Sequence, residues 1–213
     1  MCCQGKCTKE KIIKAAVVVF AEKGKHGARM EEIAEQAGVN KSMLYYYYST
    51  KSNIFSEVLK YVFSSIFSHI GENIETINNE TDSPIEKLKL LSRAHFTLLS
   101  QNVNFVKIMA ETLTKYPKEI QTVAMEYSHF NQTPVPVKIM EIIQDGISKG
   151  IFRKIDPRQV LISIIAMNLF YFLGKPMAQV IFELKNEDEE EFLSKRRESV
   201  IDLFLFGLLE RSE

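Results

Sequence analysis

The 213-residue chain has no tryptophan, only nine glycines and six prolines, and no surplus of either charge, with Lys+Arg 27 against Asp+Glu 27. Scarce Gly and Pro exclude collagen-like and low-complexity chains and leave room for long uninterrupted helices. The three cysteines, Cys2, Cys3 and Cys7, all fall in the first seven residues. They cannot staple a fold that begins after them, so a reducing, cytoplasmic setting is expected. "CCQGKC" is read as part of a disordered tail rather than as a metal cluster. No apolar h-region opens the chain, so no secretory signal is expected. The most apolar run, "VLISIIAMNLFYFL" at 160–173, is shorter than the ~20 residues a membrane span requires and is read as a buried helix, with no membrane partner. A Gly-rich phosphate loop, a Cys-x-x-Cys pair and a Gly-x-Ser-x-Gly elbow are all missing, so the chain is expected to have no cofactor, metal or catalytic residue and not to be an enzyme.

What is present is a globular composition, 46% hydrophobic and 10% aromatic, enough for a real core. The neutral total hides an asymmetry. Residues 1–51 hold nine Lys/Arg and five Glu, a net +4, and the remainder is −4. A basic N-terminal part on an acidic remainder fits a module that binds a polyanion.

Apolar residues recur at helical spacing almost throughout, and β-type alternation is hard to find. Ile12, Ala16, Val19 and Phe20 share a face of a helix over 9–23 that Gly24 closes. A short helix covers about 30–37 and stops at Gly38. A third starts at Asn40, an N-cap, and runs to about Tyr48, after which Ser49 or Thr50 caps a long helix to about Ile77. Ser83-Pro84 and Asp156-Pro157 are each an N-cap followed by proline at the first helical position. Helices opening at Asn102 or Asn104 and at Pro117, one over about 135–149, the apolar run after Pro157 and a final one led by "KNEDEEE" complete an all-α chain of about nine helices.

The stretch "GVNKSMLYYYYSTK", residues 38–51, sets four tyrosines in a row. On a helix, successive side chains step about 100° around the axis, so one core cannot bury them all. Leu44 and Tyr48 share a face, which makes Tyr48 the core residue, while Tyr45, Tyr46 and Tyr47 project elsewhere. Phenol hydroxyls can donate to phosphate and ring edges can touch a thymine methyl, chemistry suited to DNA. The preceding helix, the turn at Gly38-Val39 and this one form a helix-turn-helix. Ala34 and Ala37 are small enough for close approach, Gly38 permits the sharp turn, and Val39 and Leu44 fill the angle.

"IAEQAGVNKSMLYYYYSTK", Ile33 to Lys51, resembles the signature of the TetR family of bacterial transcriptional regulators, and the likeness covers about residues 9–60. It implies a DNA-binding domain over 1–50 and a larger helical domain over 51–213 that binds an effector and a second subunit. By resemblance, Tyr45, Tyr47 and Lys51 hold phosphates, Lys41, Ser42, Met43 and Tyr46 lie nearest base edges, and Arg29 and Met30 reach the backbone or an outer base. Ala28 stands where the family commonly caps the second helix with Thr, and Glu31, Glu32 and Glu35 make that helix acidic. The function implied is a ligand-responsive regulator, read as a repressor, that binds double-stranded operator DNA as a homodimer joined by its last two helices.

The Phe- and Met-rich larger domain points to an apolar pocket for a small apolar or amphipathic effector, with Phe67, His95, Met109, Tyr127, Phe130, Asn168 and Tyr171 as candidate contacts. Two other readings stay open. One is an all-helical ligand-binding or interaction protein whose helix-turn-helix is structural only. The other is a di-iron carboxylate enzyme, because Glu126-x-x-His129 has the i, i+3 spacing of such bundles, though no second copy occurs.

Overall fold

A computed structural model describes residues 4–130, 134–183 and 188–209. They form ten α-helices, one for each segment read from the sequence, against an expected total of about nine: α1 (Gln4–Gly27), α2 (Met30–Ala37), α3 (Lys41–Tyr47), α4 (Lys51–Glu80), α5 (Pro84–Gln101), α6 (Val103–Lys115), α7 (Pro117–Phe130), α8 (Val135–Ser148), α9 (Pro157–Ile181) and α10 (Glu189–Leu208). Among the described residues the β-structure is one isolated bridge, Phe152 to Leu209. Cys7 lies inside α1, which corrects the expectation of a disordered tail there. Cys2 and Cys3 lie outside the described residues.

The local signals act where expected. Gly24 interrupts α1 with φ 68° and ψ 172°. The side chain of Thr50 accepts from the Asn53 amide at 3.2 Å, and that of Asp156 from the Arg158 amide at 2.9 Å, so each cap satisfies an otherwise orphan N–H. The start of α2 differs from expectation. Arg29, not Ala28, takes the N-cap position. Ala28 is buried, and the Glu32 carboxylate reaches back to accept from the Arg29 amide at 3.1 Å.

The helices pack as two compact units. The first comprises Met1–Ile66 and Asn102–Phe130, the second Phe67–Gln101 and Asn131–Glu213. Helices α6 and α7 therefore pack with the N-terminal helices, and α4 runs through both units. The first unit is centred on Ile12, Phe20, Ile33, Leu44, Ile54, Phe55, Leu59 and Ile108, all essentially inaccessible. Phe20 and Phe55 meet edge to face at 5.2 Å, the arrangement that ring quadrupoles favour. The second unit packs Ile70, Ile74, Leu88, Ile143, Phe152, Val160 and Leu208. There the Arg93 guanidinium of α5 donates to the Glu198 carboxylate of α10 at 2.6–3.2 Å.

Helix α9 is a correction. It has 25 residues, continues through Pro176, and is long and apolar enough to cross a membrane by length and composition. It is not a buried helix. Val160, Ile164, Asn168, Tyr171 and Phe172 face inward, whereas Ile162, Ile165, Phe170, Leu173, Met177, Val180 and Ile181 are exposed.

Candidate nucleic-acid interface

Helices α2 and α3 meet through a tight, fully hydrogen-bonded corner. Gly38 adopts φ 64°, ψ 34°, a left-handed conformation that costs glycine little. Its amide donates to the Glu35 carbonyl and the Val39 amide to the Ala34 carbonyl, both at 3.0 Å. The Asn40 side chain then caps α3, accepting from the Met43 amide at 2.7 Å. Leu44 is fully buried and pins the inner side of α3, leaving its outer side to solvent.

The four tyrosines separate as their spacing predicts. Tyr48 is buried, although it ends α3 as an extended C-cap rather than continuing the helix. Burial raises the pKa of its phenol, because the charged form loses hydration. Tyr46 is 83% exposed, and Tyr45 and Met43 are also exposed. Tyr47 is half-buried, packed against the core, with the Lys9 ammonium 5.9 Å from its ring centre and the Tyr46 ring edge-on at 5.3 Å. Lys41 and Ser42 are exposed at the start of α3.

Other members of the expected set sit differently. Met30 is only 7% exposed and belongs to the core of the first unit, so it is withdrawn from the DNA-facing set: its apolar side chain packs inward at the first turn of α2. Arg29 beside it is exposed. The Lys51 ammonium donates to the carbonyls of His26 at 2.8 Å and Ala28 at 2.9 Å. It thus closes the end of α1, a role that spacing alone did not reveal, and one of its three protons is left for another acceptor. Lys41 pairs with Glu31, and this contact raises the pKa of Lys41 and lowers that of Glu31. Lys23 pairs with Glu32 at 2.7 Å. Two of the three acidic groups of α2 are therefore matched by a cation.

The candidate effector residues fall in both units. Met109 and Tyr127, each half-buried, belong to the first. So does Phe130, whose side chain lies outside the described residues. Phe67 is half-buried in the second. His95, Asn168 and Tyr171 come together there: the fully buried Asn168 amide donates to His95 Nδ1 at 3.1 Å, and Tyr171 stacks on Phe96 with ring centres 6.5 Å apart. Burial lowers the pKa of His95 from 6.5 to about 4, which keeps the ring neutral near pH 7 and able to accept that bond. Glu126, half of the possible iron motif, is paired with Lys60 at 2.9 Å. The side chain of His129 lies outside the described residues.

The chain is similar to known regulators. It is 41% identical over 58 residues to the HTH-type transcriptional repressor NicS of Pseudomonas putida, covering 27% of each chain. It is 36% identical over 93 residues to the fatty acid metabolism regulator protein of Bacillus subtilis, covering 44% of this chain and 46% of that one. These matches span less than half of either relative. RutR of Escherichia coli is 24% identical over 213 residues, 95% of this chain and 91% of its own. Among solved structures, FadR of Bacillus subtilis in complex with stearoyl-CoA aligns with TM-score 0.66 at 25% identity over 93% of this chain and 98% of that one. HlyIIR, a hemolysin II transcriptional regulator, aligns at 0.68 with 21% identity over 98% and 100%, a likeness of fold alone. Residues 12–58 match the profile of "Bacterial regulatory proteins, tetR family" and residues 84–204 that of "Tetracyclin repressor-like, C-terminal domain". The second match alone exceeds half of the chain, and the protein belongs to the TetR family of bacterial transcriptional regulators.

Proposed function

We propose that the protein is a cytoplasmic, ligand-responsive repressor that binds operator DNA as a homodimer through residues 1–50 and is released when an amphipathic effector binds the helices of 51–213. The observation that carries this reading is the outer side of α3. Lys41, Ser42, Met43, Tyr45 and Tyr46 are all exposed on a short helix whose inner side is locked by Leu44. Such a helix can lie in a major groove while its partner helix crosses the backbone. Lys41 and Tyr46 then approach base edges. Arg29, Tyr45, Tyr47 and the remaining Lys51 proton approach phosphates.

A single head covers one half-site. The apolar faces of α9 and α10, with Ile162, Leu173, Val180 and Leu203 exposed, are suited to a self-complementary contact in which two copies form a four-helix bundle. The stearoyl-CoA held by the Bacillus subtilis relative supports an effector with a long acyl chain. His95, Asn168 and Tyr171 would supply its polar contacts.

Selection from a library of random duplexes tests the reading. The expected product is a two-fold symmetric site whose complex dissociates when stearoyl-CoA is added. Recovery of no preferred sequence would leave the non-DNA helical binder as the better account. A selected operator unaffected by stearoyl-CoA would remove the acyl effector alone.

A further inference from the structure

The corner that joins α1 to α2, residues 24–29, sets the direction in which α2 and α3 leave the first helix. Three helices of the same unit hold it. From α4, Lys51 donates to the His26 and Ala28 carbonyls. From α7, the Glu119 carboxylate pairs with the Lys25 ammonium at 3.0 Å; that ammonium also lies 4.9 Å from the Phe55 ring centre and 4.5 Å from that of Tyr116. From α6, the Glu111 carboxylate accepts the Lys25 backbone amide with both oxygens, at 3.3 and 3.2 Å.

The Glu111 contact is built into the backbone itself. Gly24 has φ +68°, and a Cβ there would stand 2.7 Å from Glu111 Oε1. The left-handed φ favours glycine at 24, and a methyl there would have to push the end of the Glu111 side chain away from the Lys25 amide. The Glu111 side chain is 15% exposed, and the cation it pairs with, Lys115 one turn on, is 3.7 Å away. In such a part-buried place the reach of the acceptor that satisfies this backbone amide fixes the spacing between α6 and the kink.

We propose that Glu111 is a positioning residue for DNA recognition: its carboxylate, seated against the Gly24 kink, sets the angle at which α2 and α3 are presented. This rests on the reading that α3 meets DNA. Two correctly aimed heads are needed for both half-sites of an operator, whereas nonspecific binding tolerates misalignment because phosphates repeat along the duplex. Loss of aim therefore lowers operator affinity more than affinity for random DNA.

The test uses the full-length protein, the duplex selected by the wild type, a scrambled duplex of the same length, and a melting curve for every variant. Glu111→Asp keeps the charge but shortens the reach. Glu111→Gln keeps the reach and an acceptor oxygen. Below all the melting transitions, Glu111→Asp and Gly24→Ala are expected to lose at least tenfold in operator affinity while scrambled DNA stays within twofold. Glu111→Gln is expected to stay within threefold of wild type on both. The proposal is overturned if Glu111→Asp binds the operator like wild type, if operator and scrambled affinities fall together, or if Glu111→Gln falls as far as Glu111→Asp. A wild type that selects no duplex overturns the DNA reading as well, so the two failures are distinct.

Discussion

The two units treat their apolar side chains differently. In the first, α1, α2, α3, the start of α4, α6 and α7 converge on one core in which Ile12, Ile33, Leu44, Phe55 and Ile108 are sealed, and the outer side of α3 shows tyrosines and a lysine. In the second, α9 and α10 bury one side and leave the other apolar and wet: Val180 is 66% exposed and Leu203 60%. Large apolar side chains exposed in number along two helices mark a place where a partner is expected. The contrast separates a unit whose apolar residues are sealed within one chain from a unit that leaves an apolar face open, the face proposed above for a second subunit.

The largest expected effect lies in the sealed core. Phe55→Ala removes a ring that meets both Phe20 and Tyr116 edge to face and should cost about 3–5 kcal/mol of stability in chemical denaturation. A cost under about 1 kcal/mol would mean that the first unit is packed no more tightly than the second.

On the open face, Leu203→Glu and Val180→Glu should weaken self-association at least 100-fold by analytical ultracentrifugation while the helical circular-dichroism signal persists. Phe204, half-buried against the second core, should instead unfold that unit when changed to Glu. If Leu203→Glu melts out rather than dissociating, its side chain faces the core and the contrast between the units fails.

At the tyrosine helix, Tyr46→Ala should leave the melting temperature unchanged and cost about 1–3 kcal/mol on the selected operator. Scrambled DNA should be nearly unaffected. An equal loss on both duplexes would move Tyr46 from base edges to phosphate.

The smallest effect concerns His95. Its folded pKa, about 4, is below the ordinary 6.5, so the unfolded chain takes up a proton that the folded chain refuses. The resulting stability is full above pH 6.5 and is lost as pH falls from there toward 4. Between pH 7.5 and 6 the loss should be about 1 kcal/mol. His95→Gln should remove that slope, and a slope retained in the variant would assign it to other groups.

Much of the molecule was legible because its signals are local. The Gly24 break, the Asn40 and Asp156 caps, the Gly38 corner and the burial of Tyr48 against exposed Tyr46 each follow from residues within about one helical turn of one another. The apolar helix after Pro157 is read from the sequence only over the run that ends at residue 173, whereas α9 continues through Pro176 to Ile181. A proline inside a helix costs about 3 kcal/mol, and whether α9 continues through it depends on packing along the whole helix rather than on residues 173–177. Met30 was misplaced because an apolar residue at the first turn of a short helix can face either way until the core beneath it is known.

By itself, the sequence determined the all-helical class, the helix-turn-helix and which side of α3 stays outside, since helical periodicity, caps and glycine dihedrals depend on nearest neighbours along the chain. Only the tertiary structure decided that α6 and α7 pack with the N-terminal helices, that Lys51 closes the end of α1, that Glu111 fills the space beside Gly24, and that His95 is held neutral beside Asn168. The side-chain contacts behind these join residues separated by 23 to 94 positions. No periodicity in a single sequence encodes such a pairing; it appears only when burial forces distant polar groups to satisfy one another.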